Sequence, residues 1–273
     1  MVGVPLLLRA ALPKLRPADD LPDLLLERHD VAVDPAHVAA YAELCGFPRK
    51  DTLPLPYPHL LAFGLHLRIM ADAAFPFPAI GTVHLENSLT QHRPIAATER
   101  LQVSAHPERL RPHPKGRVFD LVTRVHSRGE LVWEETSTFL RRGSAGSDAT
   151  SAPARVLPDA PPTGAVWGLP ADLGRRYAAV SGDRNPIHLH PLTAKPFGFR
   201  RQIAHGMWSM ARCVGTLESR LPGAVTVSVA FKRPILLPGA VAFGSRRLDD
   251  GYAFSLSEPE SGAPHLAGVA TGY

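Results

Sequence analysis

The sequence predicts an α+β fold in which a curved antiparallel sheet wraps a long buried helix, and it predicts that plan twice in one chain. Three observations carry this. Residues 142–164 (RGSAGSDATSAPARVLPDAPPTG) are small, polar and rich in proline, and they cut the 273-residue chain near its middle. The two halves repeat short motifs in the same order. Each half also has one long apolar helical stretch followed by a run of β-type segments, with alternation such as Val225-Thr226-Val227-Ser228-Val229 marking strands that bury one face.

The repeat is explicit in three places. Tyr41-Ala42-Glu43-Leu44-Cys45-Gly46 aligns with Tyr177-Ala178-Ala179-Val180-Ser181-Gly182, His59 with His205, and His92-Arg93-Pro94-Ile95 with Lys232-Arg233-Pro234-Ile235. The domains expected are therefore residues 1–141, a proline-rich linker at 142–164, and residues 165–273. In the first half, Asp34 before Pro35 signals a helix start, with a capping carboxylate and proline at the first helical position, and Gly46 signals its end. Residues 171–182 repeat this pattern with Asp172 as the cap. A longer apolar helix follows at 59–74 and again at 206–221. Strands are predicted at 82–90, 101–106, 117–127 and 130–140, then at 224–232, 241–248, 251–256 and 265–273.

Composition excludes several classes. The chain is 45% hydrophobic and 20% charged, enough for a large core. Only Cys45 and Cys213 are present, so neither a disulfide framework nor a four-cysteine zinc site can be built, and a reduced cytoplasm fits. No apolar run approaches the roughly 18 residues of a membrane helix. Residues 1–11 read as a lead-in to the first domain and not as a targeting segment. The net charge of +5 is spread over scattered arginines with no recognition helix or aromatic stacking pattern, which argues against nucleic acid and suits an anionic, phosphate-bearing substrate.

The segment Tyr177 to Ala194, YAAVSGDRNPIHLHPLTA, is the most informative. Asp183 follows a helix-ending glycine, Asn185-Pro186 keeps the chain out of helical geometry, and His188 comes five positions after Asp183. Such a turn can aim a carboxylate and an imidazole at one water, the requirement for reversible hydration. Ser-Gly-Asp and Asn-Pro are also common in plain surface turns. The other copy weighs against a plain turn: Phe47, Arg49 and Thr52 stand where the second half has Asp183, Asn185 and His188.

This segment resembles the hydratase 2 signature of the MaoC-like (R)-specific enoyl-thioester hydratases and (3R)-hydroxyacyl-thioester dehydratases. Ile203-Ala204-His205-Gly206-Met207 resembles the family's second motif. The resemblance covers essentially the second half, and the first half is similar to the degenerate repeat of the family's double hot-dog members. It implies a double hot-dog fold, two hot-dog repeats forming an internal pseudo-dimer, with a further homodimer left open. It also implies a hydro-lyase that needs no cofactor and acts on acyl-CoA or acyl carrier protein thioesters in fatty-acid metabolism. By that resemblance Asp183 and His188 hold the water and exchange the proton at C2, Asn185 braces their loop, and the Gly206 amide binds the thioester carbonyl. Ser181, His205 and Met207 are placed at the substrate. Many relatives carry a serine where this chain has Val214. Loss of the first half's site frees space for an acyl chain along residues 57–77, though most of that stretch reads as a buried core helix.

Other candidates are weaker. His188, His190 and His205 form the best histidine cluster, with His84, His92, His113 and His126 scattered; none shows partner spacing for zinc, and no metal is expected. His59 and His190 read as structural, and Cys45 and Cys213 as packed. Arg184, Arg200, Arg201 and Arg233 are the cations available to coenzyme A phosphates. Thioester hydrolysis and non-catalytic binding of an acyl thioester are the alternatives on the same fold.

Overall fold

Ten antiparallel strands form one continuous sheet whose order reads the same from either edge once the repeat is recognised. The computed structural model describes residue 10, residues 19–143 and residues 157–273. The first half runs β1 (Leu26–Val31), α1 (Pro35–Cys45), α2 (Pro58–Ala71), β2 (Thr82–Gln91), β3 (Leu101–His113), β4 (Gly116–Ser127) and β5 (Glu130–Arg142). The second runs β6 (Pro162–Leu169), α3 (Leu173–Ser181), α4 (Pro191–Ala194), α5 (Gly206–Leu217), β7 (Val225–Phe231), β8 (Gly239–Arg247), β9 (Gly251–Ser257) and β10 (Pro264–Gly272). The order β1-β3-β4-β5-β2-β7-β10-β9-β8-β6 is therefore two equivalent five-stranded units joined edge to edge through β2 and β7.

The joint fixes a pseudo-twofold axis. Ser88 pairs with Ser228 across it, their hydroxyls 2.9 Å apart, and Thr90 meets Thr226 at 3.0 Å. Ser88 and Ser228 are 140 positions apart, as are His92 and Lys232. A residue that pairs with its own repeat equivalent lies on the axis. The bond from Leu53 N–H to Ile95 C=O in one half has its counterpart in Ala204 N–H to Ile235 C=O in the other.

Helix ends follow the sequence signals where local chemistry decides them. Asp34 accepts from the Ala36 amide at the start of α1, and Gly46 closes that helix at φ 75°, a conformation glycine adopts without strain. Gly182 closes α3 in the same way at φ 76°. Asp172, however, does not cap α3: its backbone is already helical and its side chain makes no cap bond. The long helix α2 stops at Ala71, before the predicted residue 74, because Asp72 turns to extended geometry.

The two outermost strands, β1 and β6, are absent from the sequence-based reading. Both are edge strands, mostly exposed, so they show no buried face for a period of two to report. Strand β6 begins at Pro162, inside the stretch read as linker; proline is tolerated there because an edge strand leaves N–H positions unpaired. Residues 144–156 of that stretch, and residues 1–9 and 11 of the lead-in, lie outside the described residues. Strand β3 runs past residue 106 to His113 through a bulge between Glu108 and Arg111, where Arg109 takes φ 53°.

Helix α2 packs on β1, β3 and β4, and α5 packs on β9 and β10, while α1 lies against both α3 and α5. The repeat-equivalent tyrosines Tyr41 and Tyr177, both fully buried, meet with ring centroids 6.4 Å apart. Close approach of α5 to the end of α1 requires Gly215: a Cβ there would lie 3.0 Å from the Cys45 carbonyl and 3.1 Å from that of Gly46. Gly215→Leu should therefore cost about 1–3 kcal/mol of stability by overpacking the seam between the halves, read as a lowered urea midpoint.

Candidate active site

The loop between α3 and α5 is built by the chain's own hydrogen bonds. Ser181 Oγ accepts the Asp183 N–H (3.1 Å), Asp183 Oδ1 accepts the Asn185 N–H (3.0 Å), and Asn185 Oδ1 accepts the Ile187 N–H (3.4 Å). Three successive side chains thus cap the next amide two residues on, and the last of them starts the 3₁₀ turn Pro186–His188. The Thr193 hydroxyl anchors the Pro186 carbonyl at 2.6 Å, and the Ile203 amide anchors that of Ile187 at 3.0 Å. Ser181, expected at the substrate, serves here as a brace of the loop, and it also reaches the cavity wall.

These bonds bring Asp183, His188 and His205 together, with a donor atom of each within 4.8 Å of the others. The ring of His188 stacks on that of His205 at 3.7 Å between centroids. His188 Nδ1 lies 2.8 Å from the Ile203 carbonyl, which can only accept, so Nδ1 carries the proton and Nε2 keeps a free lone pair in the neutral ring. His205 Nε2–H donates to the Asp183 carbonyl at 3.0 Å and stands 3.7 Å from its carboxylate. Burial holds His188 below the usual imidazole range against the opposing pull of Asp183. Burial also holds His205 down to about 3, reinforced by His188. Asp183 is pushed up by burial, but the facing histidines and the Asn185 N–H more than offset this, so it stays a carboxylate.

The trio could also serve a cation as ligands, since a backbone carbonyl orients His188 as it would a metal-bound imidazole. His190, read from the sequence as structural, is not part of it. Its Nδ1 accepts from the Leu192 amide on the exposed side of α4.

Helix α5 completes the site. Its cap residue His205 is extended and offers no side-chain cap bond, so the first amides of the helix remain free where Gly206 and Met207 line the cavity. Gly206 is required by close approach, since a Cβ there would lie 3.1 Å from the Phe231 ring. Val214 is fully buried further along the same helix.

The cavity measures about 860 Å³ and takes walls from both halves. From α2 it takes His59, Phe63, His66, Leu67 and Met70, whereas Tyr57, Phe75 and Phe77 of the same stretch pack into the core, with Phe75 and Phe77 against Phe119. The stretch 57–77 is thus part wall and part core. Lys115, Arg142, Arg184, Lys232 and Arg233 also line the cavity; Arg200 and Arg201 do not.

Residues 158–249 match the family described as MaoC like domain. Over 274 aligned residues the chain is 39% identical to the 3-hydroxyacyl-thioester dehydratase X of Mycobacterium tuberculosis, covering 99% of this chain and 98% of that protein. This chain belongs to the MaoC-like dehydratase family. A second relative, the (R)-specific enoyl-CoA hydratase of Aeromonas caviae, is 38% identical over 65 residues, 22% of this chain and 48% of that protein. The crystal structure of HtdX of Mycobacterium tuberculosis superposes with a TM-score of 0.82 at 38% identity, covering 92% of this chain and all of that one. A Mycobacterium tuberculosis protein described as a double hotdog fold superposes at 0.57 with 13% identity, covering 96% of this chain and 98% of that one, a likeness of fold alone. This MaoC-like chain has that double hot-dog fold.

One residue of this MaoC-like site escapes sequence reasoning. Gly174 of α3 gives no signal: a Cβ would lie 1.9 Å from the His188 carbonyl oxygen, so glycine lets α3 press against the Asp183–His188 loop. On the first half's side of the cavity, apart from that loop, Glu135, Asn87, His66 and His84 escape it too. They are polar residues on or beside the inward face of the first half, and only strand register and the cavity show where they point.

Gly174→Ala should displace the His188 backbone and lower kcat by about tenfold or more, with far-ultraviolet circular dichroism unchanged. Acid should also weaken the fold. His66 and His205 are held neutral down to about 3 by burial first and a neighbouring imidazole second, whereas unfolded histidine titrates near 6.5. Between those values the unfolded chain binds more protons, so stability falls as pH drops through that window. The urea midpoint should be lower at about pH 5 than at about pH 7, and His66→Gln should flatten the slope.

Proposed function

We propose that this MaoC-like chain catalyses reversible hydration of trans-2-enoyl thioesters and dehydration of (3R)-3-hydroxyacyl thioesters. Its full-length relative is named a 3-hydroxyacyl-thioester dehydratase, and a partial relative an (R)-specific enoyl-CoA hydratase. The observation that carries the reading is convergence: the Asp183 carboxylate, the free Nε2 of His188 and the uncapped Gly206 amide all face one cavity.

The chemistry follows from that geometry. In dehydration, a proton leaves C2 of the hydroxyacyl thioester and a proton joins the departing C3 hydroxyl, which leaves as water. Asp183 and His188 are the two groups in reach to carry these transfers, and in hydration they hold the attacking water. Negative charge builds on the thioester oxygen as C2 loses its proton. The Gly206 N–H, at the positive end of α5 on the cavity wall, binds it in this reading. Asn185 and Ser181 act through the loop they brace. Lys115, Arg142, Arg184, Lys232 and Arg233 give the cavity a cationic rim suited to the phosphates of coenzyme A or of a carrier-linked pantetheine.

Crotonyl-CoA should lose its enoyl absorbance without release of free thiol; thiol release would indicate hydrolysis instead. Asp183→Asn and His188→Gln should each lower kcat/KM by about 100-fold to 10,000-fold, with melting temperatures close to the parent's. Retention of full activity by either variant would overturn the assignment.

A further inference from the structure

The first half has lost the catalytic triplet, yet the structure fills its side of the cavity with a different polar cluster. His59 Nδ1 lies 3.0 and 2.8 Å from the two Glu135 oxygens, and Asn87 donates to Glu135 at 2.6 Å and to Ser137 at 3.0 Å. His66 Nε2 meets the Thr123 hydroxyl at 2.7 Å, and its ring stands edge-on to His59 at 5.4 Å. The His84 ring lies between Phe139 and Phe231. His59, His66 and His84 line the cavity, and Glu135 and Asn87 stand behind them.

Three buried atoms of this cluster have no hydrogen-bond partner: His66 Nδ1, His84 Nε2 and Asn87 Oδ1. Both His66 and Asn87 are essentially inaccessible, at 1% and 0%. Such atoms are costly to bury unless something pairs with them.

The cluster is peculiar to this half. Glu135 pairs with Leu89 and Gly268 with Val229, and Leu89 and Val229 correspond under the repeat, so Gly268 stands in Glu135's place. By the same register Val227 replaces Asn87 and Ala270 replaces Ser137. Only the histidine, His59 or His205, is common to both. The cluster is therefore no requirement of the hot-dog scaffold, which closes the same positions with Gly, Val and Ala. Nor does an ion pair this deep argue for stability, because burying both charges offsets most of their attraction.

We infer that this cluster is a polar station for a second oxygen on the acyl chain, a hydroxyl remote from the reacting carbons. The inference rests on the hydratase reading and names the substrate class of that site. The His59–Glu135 pair is neutral as a unit, which suits an uncharged ligand better than a carboxylate. With Nδ1 turned to Glu135, His59 keeps Nε2 as its remaining donor. The two neutral imidazoles of the cavity wall present free polar atoms beside it, and the unpaired Asn87 carbonyl lies behind them. A hydroxyl donates and accepts, so it matches this set; a methylene would leave every one of these atoms unpaired.

Two measurements separate the station from the reaction. Binding of lauroyl-CoA and of the isomeric derivatives singly hydroxylated beyond C4, read by calorimetry, needs no turnover. At least one isomer should bind about tenfold tighter or more than the plain chain. Asn87→Val, which installs the residue of the other half, should remove that preference while leaving crotonyl-CoA turnover near the parent's; His84→Phe is the second variant should the first fail to fold. Equal binding of every isomer and of lauroyl-CoA overturns the station even where crotonyl-CoA is hydrated. A preference retained in both folded variants overturns it too. Failure of crotonyl-CoA hydration alone overturns the hydratase reading and leaves the binding result to decide the station.

Discussion

Everything functional in this protein depends on the pairing of β2 with β7. That one antiparallel seam, centred on Ser88 and Ser228, joins two five-stranded units into a single sheet. It thereby sets α2 of one unit beside the Asp183–His188 loop of the other. Neither half could wall the cavity alone, because each long helix covers only its own concave sheet. Hydrogen bonding along the seam also satisfies two strand edges that would otherwise be open to solvent or to another chain.

The division of labour follows from that geometry. The second half supplies a loop stiffened by three successive side-chain-to-amide bonds and a helix whose first amides are left free. Asp183 and His188 are thus held in place through backbone bonds. The first half carries charge of another kind. Burial raises Glu135, but His59 and Asn87 bring it down to about 2, while Glu135 keeps His59 above the ordinary imidazole range against burial. One half holds the Asp183–His188 loop; the other lines the facing wall of the same cavity.

Legibility in the sequence tracked how local the physics was. The Asp34 cap and the αL glycines Gly46 and Gly182 are decided within a few residues, and the structure has them where the sequence places them. The Asp172 cap fails because its own backbone is already helical, in a turn closed by the Leu173 N–H bond to the Pro170 carbonyl and not by residue type. Strands β1 and β6 are silent because exposed edges need no apolar face. Gly174 gives no signal at all, since its role is the space it leaves for the His188 carbonyl.

The sequence by itself determined the duplication, the α+β plan and the Asp183–His188 loop, because motif spacing, caps and apolar periodicity are properties of short stretches of chain. Tertiary structure alone decided which polar residues share a cavity. His59, Asn87 and Glu135 are separated by dozens of residues and lie on different elements, and only strand register places them together. Register is a long-range property, fixed by how whole faces pack, and no window of sequence contains it.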